Sequence, residues 1–185
     1  MEANEAFKSL GIVSALVLFC GLWFVVKKWP QGNDKTFSQH IASSRAGVLF
    51  YIGLFSIVLP MLLLFFMGWF IPTYELSSWF TLFILIAATT QFLCTLIPET
   101  GGNKSKYHRL LAFASANCLL PTVLILVMSE TPSYASRVIS LVALIIMSSI
   151  VFILVRNQVE HKNLLVLQAS YFFAFFASVL SVTYF

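Results

Sequence analysis

AGVLFYIGLFSIVLPMLLLFFMGWFI, the run from Ala46 to Ile71, contains no acid, no base and no histidine. Crossing the roughly 30 Å of bilayer hydrocarbon takes roughly 20 helical residues, and this run is longer than that. Inside hydrocarbon the backbone must satisfy its own hydrogen bonds, so a continuous apolar run of this length has to be a helix. A barrel strand would alternate apolar and polar residues over about ten positions, and this run does not alternate.

Five further stretches of the same kind flank it: Ser9–Val26, Ser78–Ile97, Leu110–Met128, Arg137–Val155 and Leu164–Tyr184. The acids (Glu2, Glu5, Asp34, Glu75, Glu99, Glu130 and Glu160) fall outside these stretches or at their edges. The expected fold is all-α, an integral membrane bundle of six transmembrane helices forming one domain over residues 1–185. Composition agrees, with 59% hydrophobic and 10% charged residues. A soluble domain carries about 45–50% apolar and about 25% charged residues. The first stretch is expected to remain as a span. Its leading segment is acidic, and Lys27 and Lys28 stand where a signal peptide would place small residues for cleavage.

Charge sets the expected orientation. Lys27, Lys28, Lys35 and Arg45 follow the first span, Lys104, Lys106 and Arg109 the third, and Arg156 and Lys162 the fifth. Of the 11 Lys and Arg residues only Lys8 and Arg137 lie on the other side. The positive-inside rule then places the three basic loops in the cytoplasm and both termini outside, as in a bacterial-type inner membrane. This distribution also accounts for the net charge of +4 without nucleic acid as a partner. The short connections at 72–75 and 130–133 predict antiparallel helix neighbours.

Chemistry-bearing residues are few. Cys20, Cys94 and Cys118 sit in apolar runs without metal-ligand spacing, and are read as packing thiols. No cofactor is called for, and no Walker loop, dinucleotide fingerprint, nucleophile elbow or HExxH pattern occurs. Three groups remain. Lys104, Lys106, His108 and Arg109 open the fourth span, where a helix N-terminus beside cations suits the anionic headgroup of a membrane lipid. Glu99, the one acid of that loop, is available to Arg109 or His108. Gln91, Asn117 and Gln168 are buried amides that either bond between helices or line a polar path for a small solute. Thr89, Thr90, Ser148 and Ser149 are further polar residues within spans, and Pro60 and Pro121 are expected to kink theirs. His40, His108 and His161 all fall on the basic side, and would form a metal or haem site only if they converged.

Two segments carry a resemblance. Thr36-Phe37-Ser38-Gln39-His40 precedes the second span. Ile97-Pro98-Glu99-Thr100-Gly101-Gly102, followed by Tyr107-His108-Arg109, precedes the fourth. Together with the six-span layout they resemble six-helix bacterial membrane proteins of the DRAM/Frag/Sfk type. In that group an Ile-Ser segment precedes the second helix, and a Pro-acid-Gly loop with a histidine opens the fourth. Here Phe37 stands for the Ile, and Gln39 for the acid after the Ser. The resemblance implies a membrane protein tied to lipid with no assigned chemistry, and cytoplasmic termini, the reverse of the charge count. The expected function is that of a non-enzymatic, lipid-associated membrane protein. A carrier or channel, and a redox or metal protein, are the alternatives.

Overall fold

The long apolar runs form helices because nothing else pairs their backbone in lipid. In the computed structural model, which describes residues 2–156 and 162–185, they are α1 (Glu2–Lys28), α3 (Arg45–Tyr74), α4 (Ser78–Leu96), α5 (Gly102–Met128), α6 (Tyr134–Arg156) and α7 (Leu164–Tyr184). A short helix, α2 (Phe37–Ala42), lies between the first two spans. All six long helices are apolar and long enough to cross a membrane. The protein is an all-α bundle, and its outer face is apolar: Leu16, Ile57, Ile145 and Phe173 are each more than half exposed. In water such a surface would aggregate, whereas in a bilayer it is the solvated face.

Hydropathy underestimates helix length at the polar ends. α5 starts at Gly102, well before the apolar residues from Leu110, and α1 starts at Glu2 rather than Ser9. Helical hydrogen bonding continues past the hydrocarbon edge, where polar side chains are as acceptable as apolar ones. Pro60 and Pro121 both lie inside continuous helices. The irregular turn falls elsewhere. Residues Phe66–Phe70 widen into a π turn, in which the Ile71 N–H reaches the Phe66 carbonyl. Pro72 follows directly, and its ring would crowd the carbonyl four residues back.

The closest helix pairs are α4 with α5, α6 with α7 and α1 with α3, each joined across a basic loop; α5 with α6 and α3 with α4, the neighbours expected from the short connections, also pack but less extensively. Small residues lie at the contact of each pair, with Ser115 donating to the Ala87 carbonyl (3.1 Å) between α4 and α5. Between α6 and α7 they form a ladder of serines. Ser178 donates to Ser140 (2.8 Å) and Ser136 to the Ser181 carbonyl (3.0 Å). Ser148 and Ser149 face outward instead. Away from the basic loops, Phe65, Phe66, Trp69, Phe70 and Phe80 form one aromatic cluster. Tyr74 closes that end by donating to the Val182 carbonyl.

Between α1 and α3 the close approach depends on Gly21, where an added Cβ would come within 2.5 Å of Leu54. Gly53, by contrast, has nothing within 4 Å of that position. Gly21→Ile is therefore expected to destabilise the bundle by about 1–3 kcal/mol, the usual cost of overpacking. Gly53→Ala should be neutral or slightly stabilising, as glycine is the poorer helix former. Thermal unfolding of the two variants in detergent checks this.

Candidate functional site

The site begins with a four-residue capping pattern. In Thr36-Phe37-Ser38-Gln39 the Thr36 hydroxyl accepts the Gln39 N–H (3.2 Å), and the Gln39 Oε1 accepts the Thr36 N–H (2.9 Å). This reciprocal pair is a capping box, and it starts α2. It also fixes the Gln39 amide, because an oxygen committed to one N–H leaves the NH₂ to point elsewhere.

That NH₂ donates to Glu99. Gln39 Nε2 lies 3.2 Å from Glu99 Oε1, and the Thr36 and Ser38 hydroxyls each lie 3.0 Å from Oε2. The carboxylate reaches α2 from the loop between α4 and α5, some 60 residues away in sequence. Glu99 is 8% exposed, so its charge is almost wholly removed from water. Such a charge is tolerated only when hydrogen-bonded, and three donors provide that here. Among the described residues no Lys or Arg comes within 4.0 Å of it; the basic group beside it is His108, with Nε2 at 3.9 Å from Oε2.

His108 is turned inward. Its Nδ1 lies 2.6 Å from the Ile97 carbonyl, which can only accept, so Nδ1 carries a proton and Nε2 faces Cys94 Sγ (3.4 Å) and Glu99. Cys94 is buried and also donates to the His108 carbonyl (3.5 Å). A thiol, an imidazole and a carboxylate side by side suggest a nucleophile and its base. Neither Cys94 nor His108, however, lines the notch that opens beside Glu99.

This notch, of about 360 Å³, is bordered by Gln31, Lys35, Gln39, Ser43, Glu99 and Thr100, with Ala42. Lys35 is paired at 3.0 Å with Asp34, both exposed. Its ammonium, hydrogen-bonded to Asp34, holds that carboxyl below the usual carboxylate range. Two more bonds bring the start of α7 to the same place. Gln168 of α7 accepts the Phe37 N–H (3.1 Å), and the Leu165 N–H donates to the Asn33 carbonyl (3.1 Å). α2 and the turn before it thus meet both the α4–α5 connection, through Glu99, and the start of α7.

The sequence-derived groups separate in space. Lys104, Lys106 and Arg109 are exposed on the first turns of α5, while His108 is buried against Glu99. Of the two partners proposed for Glu99 it is His108 that lies beside it; Arg109 Nε donates to the Ser105 carbonyl (3.3 Å). The three amides do not meet. Gln91 borders a cavity of about 60 Å³ whose other polar member is Ser115, Asn117 donates to its own helix at Phe113 (2.8 Å), and Gln168 caps α2. His40, on α2, braces the turn that follows α1, with Nδ1 at 2.9 Å from the Trp29 carbonyl and 3.1 Å from the Gln31 N–H. One nitrogen serves either contact according to tautomer, and Nε2 is buried with no hydrogen-bond partner among the described residues. His40 and His108 are thus anchored to different carbonyls, and His161 lies outside the described residues. Among the described residues no group of three His, Cys, Asp or Glu side chains could hold a metal ion.

Sequence reasoning singled out Glu99 and His108 but gave Thr36, Ser38 and Gln39 no bonding role. The Thr-x-x-Gln spacing was the available signal, since it marks a helix start. No family model, curated protein or solved structure matches this chain.

The role of Gln39 is open to test. Gln39→Glu replaces the donor with a second carboxylate against Glu99, whereas Gln39→Ala only removes it. Both should lower stability, Gln39→Glu by the larger amount, on the order of 1–3 kcal/mol. Thermal unfolding in detergent near neutral pH checks the ranking.

Proposed function

We propose that this multi-pass membrane protein is non-enzymatic and lipid-associated, and that its basic loop face meets anionic headgroups in the cytoplasmic leaflet of a bacterial-type inner membrane. The observation that carries the reading is the start of α5. Its first turn has no acid and no side-chain cap, and Lys104, Lys106 and Arg109 are all exposed there. Cations at a helix N-terminus oppose the positive end of the helix dipole, each costing about 0.3–1 kcal/mol. The leading N–H groups of the helix lack intrahelical partners as well. A phosphate or phosphatidyl headgroup turns both costs into attractions, since each basic residue near an anionic surface gains about 1 kcal/mol.

The surroundings favour a fixed surface over a moving one. Glu99, Gln168 and Asn33 tie the α1–α3 connection to the α4–α5 connection and to the start of α7, so the cations are presented beside a braced loop. The resemblance of Thr36–His40 and Ile97–Arg109 to lipid-linked six-helix proteins points the same way. A carrier reading gains nothing from Gln91, Asn117 and Gln168, which are held in three separate places.

Replacing Lys104, Lys106 and Arg109 together by Gln is expected to reduce retention of phosphatidylglycerol by about tenfold or more relative to wild type. Native mass spectrometry from mixed micelles reads this directly. Unchanged retention would remove the reading.

A further inference from the structure

A buried carboxylate without a full cationic partner, placed on the wall of an open polar notch, is an arrangement that recognises a cation. Glu99 fits that description, as its three close donors are neutral and the basic group nearest it among the described residues is an imidazole at 3.9 Å. Two of the donors share Oε2, and Gln39 alone bonds Oε1. A carboxylate has about four acceptor sites, so Oε1 keeps one free. From the structure we infer that the notch beside Glu99 binds the headgroup of an ethanolamine phospholipid, the primary ammonium on Glu99 Oε1 and the phosphate towards Lys35.

The remaining walls suit the same ligand. Gln31, Ser43 and Thr100 also line the notch, and an amide and two hydroxyl side chains can serve either end of a zwitterion. Lys35 supplies the positive charge on the rim. Its bond to Asp34 is between two exposed side chains, and such pairs are weak enough to yield to a phosphate. A volume of about 360 Å³ lies within the range of small-ligand pockets, roughly 300–1,000 Å³. Position matters too. The notch lies between the α1–α3 connection and the α4–α5 connection, at the end of the spans where headgroups lie. This inference rests on the reading that this face meets headgroups, but it uses different residues from the α5 cations and a different headgroup charge.

The ammonium must have N–H groups to donate, so a trimethylated headgroup should bind poorly. The full-length protein is equilibrated in mixed micelles holding equal amounts of phosphatidylethanolamine, phosphatidylcholine and phosphatidylglycerol, and retained lipid is read by native mass spectrometry. Wild type is expected to retain phosphatidylethanolamine about tenfold over phosphatidylcholine, the size of one charge-assisted hydrogen bond. Glu99→Gln should abolish that preference, and Lys35→Gln should reduce it. The Lys104, Lys106 and Arg109 triple Gln variant should keep it while losing phosphatidylglycerol, which separates failure of this inference from failure of the surface reading. Soluble phosphoethanolamine added to the same sample distinguishes the two sources of the chemistry. Displacement only at large excess assigns the site to the lipid, and displacement at comparable concentration assigns it to the free headgroup compound. Equal retention of the ethanolamine and choline lipids by wild type overturns the inference, even if Glu99→Gln does not fold. So does a preference that survives both Glu99→Gln and Lys35→Gln.

Discussion

Hydrocarbon offers no hydrogen bonds, and that constraint organises the whole molecule. Every backbone group within the bilayer must be paired inside its own segment, so the chain crosses as six helices, with its charges left at the ends. Within the spans the polar groups that remain include serine, threonine, tyrosine and amide side chains. They are spent on local or neighbouring acceptors, as in the Ser140–Ser178 contact. Because the lipid is as apolar as the helix faces, association relies on close approach at small residues such as Gly21 and the α6–α7 serines rather than on apolar burial.

Polar chemistry therefore gathers at the membrane boundary, and on the basic side it is built around α2. This helix has six residues, too short to hold itself together in isolation. It is stabilised from outside: a capping box at its start, the Gln168 carbonyl on the Phe37 N–H, and the Glu99 carboxylate across Thr36, Ser38 and Gln39. The same contacts that keep α2 folded also fix the notch. Glu99 takes part in both, since both oxygens of its carboxylate are bonded to α2 and its cap while the residue borders the open volume. A structural brace and a recognition group thus coincide in one side chain.

The six spans were legible because hydropathy over about 20 residues is a strong and redundant signal; the Ala46–Ile71 run alone decides the class. Helix ends were less so. α5 runs on from Leu110 back to Gly102 through residues that hydropathy cannot distinguish from a loop. The importance of Glu99 could be read from its position as the one acid of a basic loop, but its partners could not. Ser38 and Glu99 are brought together by how two hairpins pack, and a single sequence carries no record of that contact. Gln39 shows the limit well. As a departure from the resembled pattern it looked like a lost acid, whereas in the structure its amide is a donor that an acid could not replace without facing Glu99 charge to charge. His108 was grouped with the lysines by proximity in sequence, but helical periodicity places it on the inner face while Lys104, Lys106 and Arg109 point out.

The central claim is that Glu99 unites the first and second basic-side connections, α1–α3 and α4–α5, into one polar site. A double-mutant cycle between Ser38→Ala and Glu99→Gln, read by equilibrium unfolding of the protein in detergent, measures that union directly. A coupling energy of about 0.5–3 kcal/mol is predicted for residues in one hydrogen-bonded network. Simple additivity of the two substitutions, to within about 0.3 kcal/mol, would contradict it and leave the two loops as independent elements.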